Sequence, residues 1–156
     1  ALAKEAKKLG VEIEKTMSKG HIVDAIYKKA IRPKLWDPQF VIHHPSEMFP
    51  LAKARKEDPS KAESIQLLVG GGWELVKAYT EQNDPAVQKK AFEEQESLFR
   101  KGLEDAQRMD EDFVEALEYG MPPTAGMGMG VDRLVALLTD SHSLREVILF
   151  PTMKPR

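Results

Sequence analysis

"GMPPTAGMGMGVDRLVALLTD", from Gly120 to Asp140, is the stretch on which the reading of this chain turns. Gly126, Gly128 and Gly130 fall at every second position, and Asp132-Arg133 lead into an apolar run. Side chains alternate across a strand, so the glycines share one face while Met127 and Met129 point to the other. A face without Cβ atoms lets a flat group approach the backbone closely. "VDRLVALLTD" predicts a helix with Asp132 and Arg133 in its first turn. The N–H groups of such a turn favour anions, and a guanidinium there can grip phosphate oxygens through paired donors. Neither the dinucleotide pattern G-x-G-x-x-G nor a P-loop ending in G-K-[S/T] is matched, so a bound nucleotide would need another geometry. On pattern alone, close helix–sheet packing with Arg133 paired to a carboxylate competes evenly.

Upstream, "IQLLV" and "WELVKAY" flank Gly70, Gly71 and Gly72 and predict an antiparallel hairpin. Lys77, Tyr79 and Glu81 share one parity on its second strand; Glu74 has the other, and joins them only across a bulge. Asn83-Asp84-Pro85 supplies an N-cap and a first-turn proline for a helix through "AVQKKAFEEQESLFRKGLEDA", with Val87, Ala91, Leu98 and Phe99 as its apolar stripe. "DEDFVEALEYG" predicts a shorter helix capped by Asp110 and ended by Gly120. Nearer the start, "ALAKEAKKLG" and "HIVDAIYKKA" read as helices and "FVI" as a short buried strand. "SEMFPLAKARKEDPSKAES" reads as a long irregular surface loop. "REVILFP" at the far end reads as a second buried strand. This order of elements predicts an α+β fold with a largely antiparallel β-sheet flanked by helices.

The chain has 156 residues, the length of one domain. Its 23 basic and 25 acidic residues give a net charge of -2, so no global positive field announces nucleic acid. There is no cysteine, which excludes disulfides and thiolate chemistry and fits a reducing compartment. No apolar run is long enough to span a bilayer, and the first residues do not read as a targeting peptide.

Taken with its flanks, "ALEYGMPPTAGMGMGVDRLVALLTDSHSLREVILFPTMKP" resembles the motif 3 region of class II aminoacyl-tRNA synthetases, and closely the carboxyl end of the bacterial-type lysyl-tRNA synthetases. "FVIHHPSEMFPLAK", "GGGWELVKAYTEQNDP" and "EYGMPPTAG" extend the resemblance in the same order over essentially the whole chain. The resemblance implies a lysine–tRNA ligase: ATP-dependent activation of lysine on an antiparallel sheet, then transfer to tRNA(Lys), in a cytoplasmic enzyme that uses Mg2+. By the same resemblance Arg133 holds the γ-phosphate of ATP, and Gly126, Gly128 and Gly130 form the floor beneath adenine. Glu74 binds magnesium at the phosphates, Glu81 pairs with the ε-ammonium of lysine, and Tyr79 lines the aliphatic part of the substrate.

Some matching positions depart from the family pattern. Lys77 stands where the family usually has an asparagine that orients bound lysine. The second metal-binding glutamate is matched by Gln66 if the triple glycine holds one extra residue, and by Leu67 without a gap. His43 replaces a common aspartate and Phe49 a common serine. The pair His43-His44 does not make a metal site, because adjacent strand positions face opposite ways and no third ligand accompanies them. The amino-terminal anticodon-binding domain, motif 1 and motif 2 are not recognisable, so residues 1–156 read as the carboxyl-terminal portion of a catalytic domain, with an exposed sheet edge that can pair with another chain as in a homodimer. Two further readings stay open: a degenerate synthetase-like domain that binds ATP or a partner without catalysis, and a relative that ligates an amino acid onto a protein.

Overall fold

The computed structural model describes residues 1–14, 17–103 and 106–152. Its centre is a four-stranded antiparallel sheet in the order β1 (Gln39–Ile42), β2 (Ser64–Val69), β3 (Trp73–Thr80) and β4 (Ala125–Met129). The helices are α1 (Leu2–Lys8), α2 (Lys19–Ile26), α3 (Pro85–Arg100), α4 (Glu111–Glu118) and α5 (Val131–Leu138). The expected α+β class and the antiparallel sheet are both present.

The glycine turn between β2 and β3 has positive φ at Gly70, Gly71 and Gly72, a backbone region that side chains with a Cβ avoid. At Gly72 a Cβ would also stand 2.5 Å from the carbonyl oxygen of Arg32, whose Nε donates back to the Gly72 carbonyl at 2.7 Å. The turn is thereby fixed to the segment that follows α2. Asp84 caps α3 by accepting from the N–H groups of Ala86 and Val87, and Asp110 caps α4 through the N–H of Phe113.

Four expectations change. The irregular segment after β1 is no free surface loop: bridges Pro45↔Lys61, Ala52↔Glu81 and Ala54↔Ala62 tie it to itself and to the residue that follows β3. Phe49, Ala52 and Ala62 within it are buried together, with Met48 and Tyr79 against them. On α3 the buried residues are Gln88, Phe92 and Gln95, not the Val87, Ala91, Leu98 and Phe99 stripe. Gln88 and Gln95 are buried because their amides donate to the carbonyls of Pro50 and Glu47, so hydrogen bonds to the irregular segment select that face. The helix ends at Arg100; Glu104 and Asp105, which the pattern assigned to it, lie outside the described residues. Finally, neither expected buried strand is buried. β1 forms, yet Phe40 and Ile42 are exposed, and "REVILFP" gives a single tight turn (Leu144–Glu146) followed by exposed Leu149 and Phe150.

The exposure follows from the register. Phe40, Leu67, Val76 and Met129 form one cross-strand row, and Ile42, Ile65, Ala78 and Met127 the next. Both rows lie on one face of the sheet, where Met127 is 68% exposed. An apolar period-two pattern specifies a face; it does not specify what covers it.

Candidate functional site

The opposite face of the sheet gathers the residues singled out by the sequence. Lys77 pairs with Gly128 and with Gln66, and Tyr79 pairs with Gly126, so the bare glycines lie on the face that carries Lys77 and Tyr79. Glu74 joins them across a bulge. Leu68 pairs with Glu74 while Leu67 pairs with Val76, which leaves Leu75 as the extra residue and turns Glu74 to the Lys77 side. The result is a hydrogen bond of 2.8 Å from the Gln66 amide nitrogen to Glu74 Oε2. Between the two alignments, the geometry places Gln66, not Leu67, beside Glu74, because Leu67 belongs to the apolar face.

The three glycines do different things. A Cβ on Gly126 would collide with the Glu81 carboxylate, which occupies the space the glycine leaves. Gly128 is open: a Cβ there would meet only the Lys77 carbonyl oxygen, at 3.9 Å. Gly130 lies just past β4 as the N-cap of α5, and the Arg133 side chain packs over it from 3.4 Å. Room for a flat group therefore exists over Gly128. Arg133, in the first turn of α5, donates from Nη1 to the Glu74 carbonyl oxygen at 2.5 Å, which joins the helix start to β3. Arg133 makes no carboxylate ion pair among the described residues, contrary to the packing alternative.

Behind Gln66 runs a polar relay that no local pattern announced. His44 is buried, its Nε2 lies 3.0 Å from Gln66 Oε1, and its Nδ1 lies 3.1 Å from Ser64 Oγ. Tyr27, just past α2, reaches the same Gln66 oxygen at 3.5 Å. Burial lowers the His44 pKa from its ordinary value, against the opposing bond to Gln66. Residues 39 apart meet here, a juxtaposition that only the folded chain creates. His43 points elsewhere, against Arg55, at a positive φ.

Phe49 links the relay to the pocket. Its ring lies 4.9 Å from His44 and 6.2 Å edge-on from Tyr79, centroid to centroid, and the Lys77 Nζ sits 4.3 Å over it. Lys77 and Phe49 are thus partners in a cation–π contact. They line a cavity of about 760 Å³ together with Tyr79, Met48, Asp24 and Glu47. Glu81 does not line it. Its carboxyl lies beside Tyr79 over Gly126, and partial burial pushes its pKa up from the usual glutamate value. Burial, and then the nearby Glu81, likewise raise the Tyr79 phenol.

Among the described residues no group of three or more His, Asp or Glu side chains is arranged to hold a metal. The Gln66 amide oxygen faces His44 and its nitrogen faces Glu74, so these two side chains do not make a two-acid site. Glu74 Oε1 takes no protein hydrogen bond among the described residues, which fits a single carboxylate ligand completed by phosphate oxygens.

A family profile described as "tRNA synthetases class II (D, K and N)" matches residues 2–154. A lysine–tRNA ligase of Carboxydothermus hydrogenoformans is 49% identical over 152 residues, 97% of this chain and 31% of the relative. That of Porphyromonas gingivalis is 49% identical over 148 residues, 95% of this chain and 25% of the relative. A third, from Staphylococcus aureus, is 48% identical over 151 residues, with 97% and 30% covered. The chain thus spans between a quarter and a third of the length of these relatives. Among its described residues, no helix is long and apolar enough to cross a membrane.

Proposed function

The chain belongs to the class II tRNA synthetase family of D, K and N type, and from that premise we propose that it supplies the ATP and amino-acid side of a lysine–tRNA ligase site. The observation that carries this reading is the convergence of Glu74, Lys77, Tyr79 and the open Gly128 on one sheet face, with Arg133 tied to Glu74. In the reaction an oxygen of the lysine carboxylate attacks the α-phosphorus of ATP, and the bond to the bridging oxygen breaks to release pyrophosphate. A ribose hydroxyl of tRNA(Lys) then attacks the carbonyl of lysyl-adenylate and AMP leaves.

Each residue has a role within that scheme. Arg133 uses one N–H on the Glu74 carbonyl and keeps the others for the γ-phosphate; the backbone contact fixes its position before the nucleotide arrives. The adenine ring lies over the floor at Gly128. Tyr79 lines the lysine methylenes and Glu81 receives the ε-ammonium, for which a partly desolvated carboxylate is a suitable partner. Magnesium, when bound, would neutralise phosphate charge with Glu74 as its protein ligand. The α-phosphate and tRNA contacts fall to other parts of the protein.

Lysine-dependent ATP–pyrophosphate exchange, measured on the protein at its full encoded length, is the test. Lysine should stimulate exchange, and Arg133→Ala should reduce it about a hundredfold or more. Exchange driven by another amino acid, or unaffected by Arg133→Ala, would overturn the assignment. A non-catalytic, ATP-binding domain is the second reading, favoured by the amide at Gln66 beside Glu74. It requires nucleotide binding at Arg133 with no exchange under any amino acid.

A further inference from the structure

Glu74 is held at both its backbone and its side chain. Its carbonyl oxygen accepts from Arg133 Nη1 at 2.5 Å, and its carboxylate Oε2 accepts from the Gln66 amide nitrogen at 2.8 Å. Glu74 forms no ion pair among the described residues, and Lys77, across the strands from Gln66, sends its ammonium over the Phe49 ring instead. The direction of that carboxylate therefore depends on which way the Gln66 amide faces. An ionised carboxylate only accepts, so the amide turns its nitrogen to Glu74 and its oxygen away. That oxygen meets His44 Nε2 at 3.0 Å, and because it too only accepts, Nε2 carries a ring proton. In the neutral ring Nδ1 then accepts from the Ser64 hydroxyl at 3.1 Å, while Ser64 Oγ accepts from the His44 backbone N–H at 3.2 Å. Each link has one direction, from Ser64 through His44 and Gln66 to Glu74. His44, Ser64 and Gln66 are all buried, so a reversed link would leave a polar atom without its partner.

We propose that His44 is a positioning residue for Glu74: acting through Gln66, it fixes the carboxylate with Oε2 engaged and Oε1 free to ligate magnesium. The proposal rests on the assignment of Glu74 to magnesium above. Two observations point beyond the filling of a core. The chain of donors ends on the site face, on a carboxylate whose other oxygen takes no protein hydrogen bond among the described residues. The His44 ring is also held on two sides, with the Phe49 ring 4.9 Å away and the Tyr27 ring edge-on at 6.2 Å, centroid to centroid, so its Nε2 keeps one direction. An amide at residue 66 does by hydrogen bonding what a second acid could not. Two carboxylates repel until a cation joins them, whereas Gln66 attracts Glu74 before the cation arrives. The ligand atom is thereby set in advance, and less ordering is left to the binding step.

The test reads the gain in ATP affinity that magnesium provides: equilibrium dialysis of ATP, with magnesium and with a chelator, on the protein at its full encoded length. Glu74→Gln should abolish the gain, which checks the assignment on which the proposal rests. Gln66→Met should cut it by about tenfold, the usual effect of removing the hydrogen-bond partner of a metal ligand. His44→Phe keeps an aromatic ring between Phe49 and Tyr27 but donates nothing, and should cut the gain by about fivefold with ATP affinity in chelator unchanged. His44→Gln, whose amide can donate in place of Nε2, should restore most of it. Added to Gln66→Met, His44→Phe should cause no further loss, because the histidine acts through the glutamine. A general weakening of the fold would instead lower affinity alike with magnesium and with chelator. An undiminished gain in His44→Phe, an equal fall under both conditions, a gain lost as fully in His44→Gln, or an additive loss in the double variant would overturn the proposal and leave the assignment of Glu74 standing. If Glu74→Gln keeps the gain in full, that assignment fails and this inference with it.

Discussion

Arg133 Nη1 meets the carbonyl oxygen of Glu74 at 2.5 Å, so the first turn of α5 is tied to β3 at the bulge that turns Glu74 toward Lys77. Arg133→Lys should separate the two roles of this residue. An ammonium can still donate to the carbonyl, but it lacks the remaining guanidinium N–H groups in their fixed plane. Melting should change by the equivalent of about 1 kcal/mol or less, while ATP affinity, read by equilibrium dialysis, should fall about tenfold or more. Equal ATP affinity in the substituted protein would remove Arg133 from the nucleotide site.

Gly126 and Gly128 look equivalent in the sequence and should respond differently. Alanine at Gly128 meets open space, so stability should hold while nucleotide affinity drops, because the new methyl group occupies the floor. Alanine at Gly126 displaces the Glu81 carboxylate instead, and should weaken lysine more than ATP. Titrating both ligands against both variants checks this crossed pattern. A matched response to the two ligands in each variant would contradict it.

That difference shows where the sequence was informative and where it was silent. Strand alternation placed Lys77 and Tyr79 in one cavity but not Glu81, which lies just past β3 over Gly126, and parity alone stated that Glu74 needs a bulge; Leu75 is that bulge. The caps at Asp84 and Asp110 were legible because capping is local. Burial was not. Phe40 and Ile42 form a strand as their residue types suggest, yet the face they join has no cover among the described residues. The α3 face was misread because buried Gln88 and Gln95 are selected by distant carbonyls at Pro50 and Glu47, which hydrophobic periodicity cannot register. His44 and Tyr27 escaped notice for the same reason, since their partners are remote in sequence.

The buried relay predicts a pH effect. Burial depresses the His44 pKa, so between its folded value and the ordinary 6.5 the unfolded chain binds the extra proton. Stability from this group is complete above about 6.5, the unfolded-state value, and is lost as pH falls through the folded value. Glu81 acts in the opposite sense: its raised pKa gives a contribution present below the ordinary glutamate value and lost as pH rises through the folded one. Urea melts across the mildly acidic range should show stability falling with pH, and His44→Gln should flatten that slope whatever its effect on the absolute level. An unchanged slope in His44→Gln would assign the dependence to other groups.

Leu68 sets the mechanical baseline for these measurements. It is fully buried on the site face, at the β2 position that pairs with Glu74 across the bulge. Leu68→Ala removes apolar contacts and leaves a cavity, at a cost of about 2–5 kcal/mol. Because the void lies beside the bulge, relaxation of β3 into it should also rotate Glu74 and loosen the Arg133 contact. Denaturation should therefore shift strongly, and ATP affinity should fall even in conditions where the variant is fully folded. Leu68→Met keeps most of the volume and should cost less than about 1.5 kcal/mol, with ATP affinity close to the unsubstituted value. If Leu68→Ala instead binds ATP normally while folded, the bulge holds Glu74 and Arg133 in place without packing support from β2.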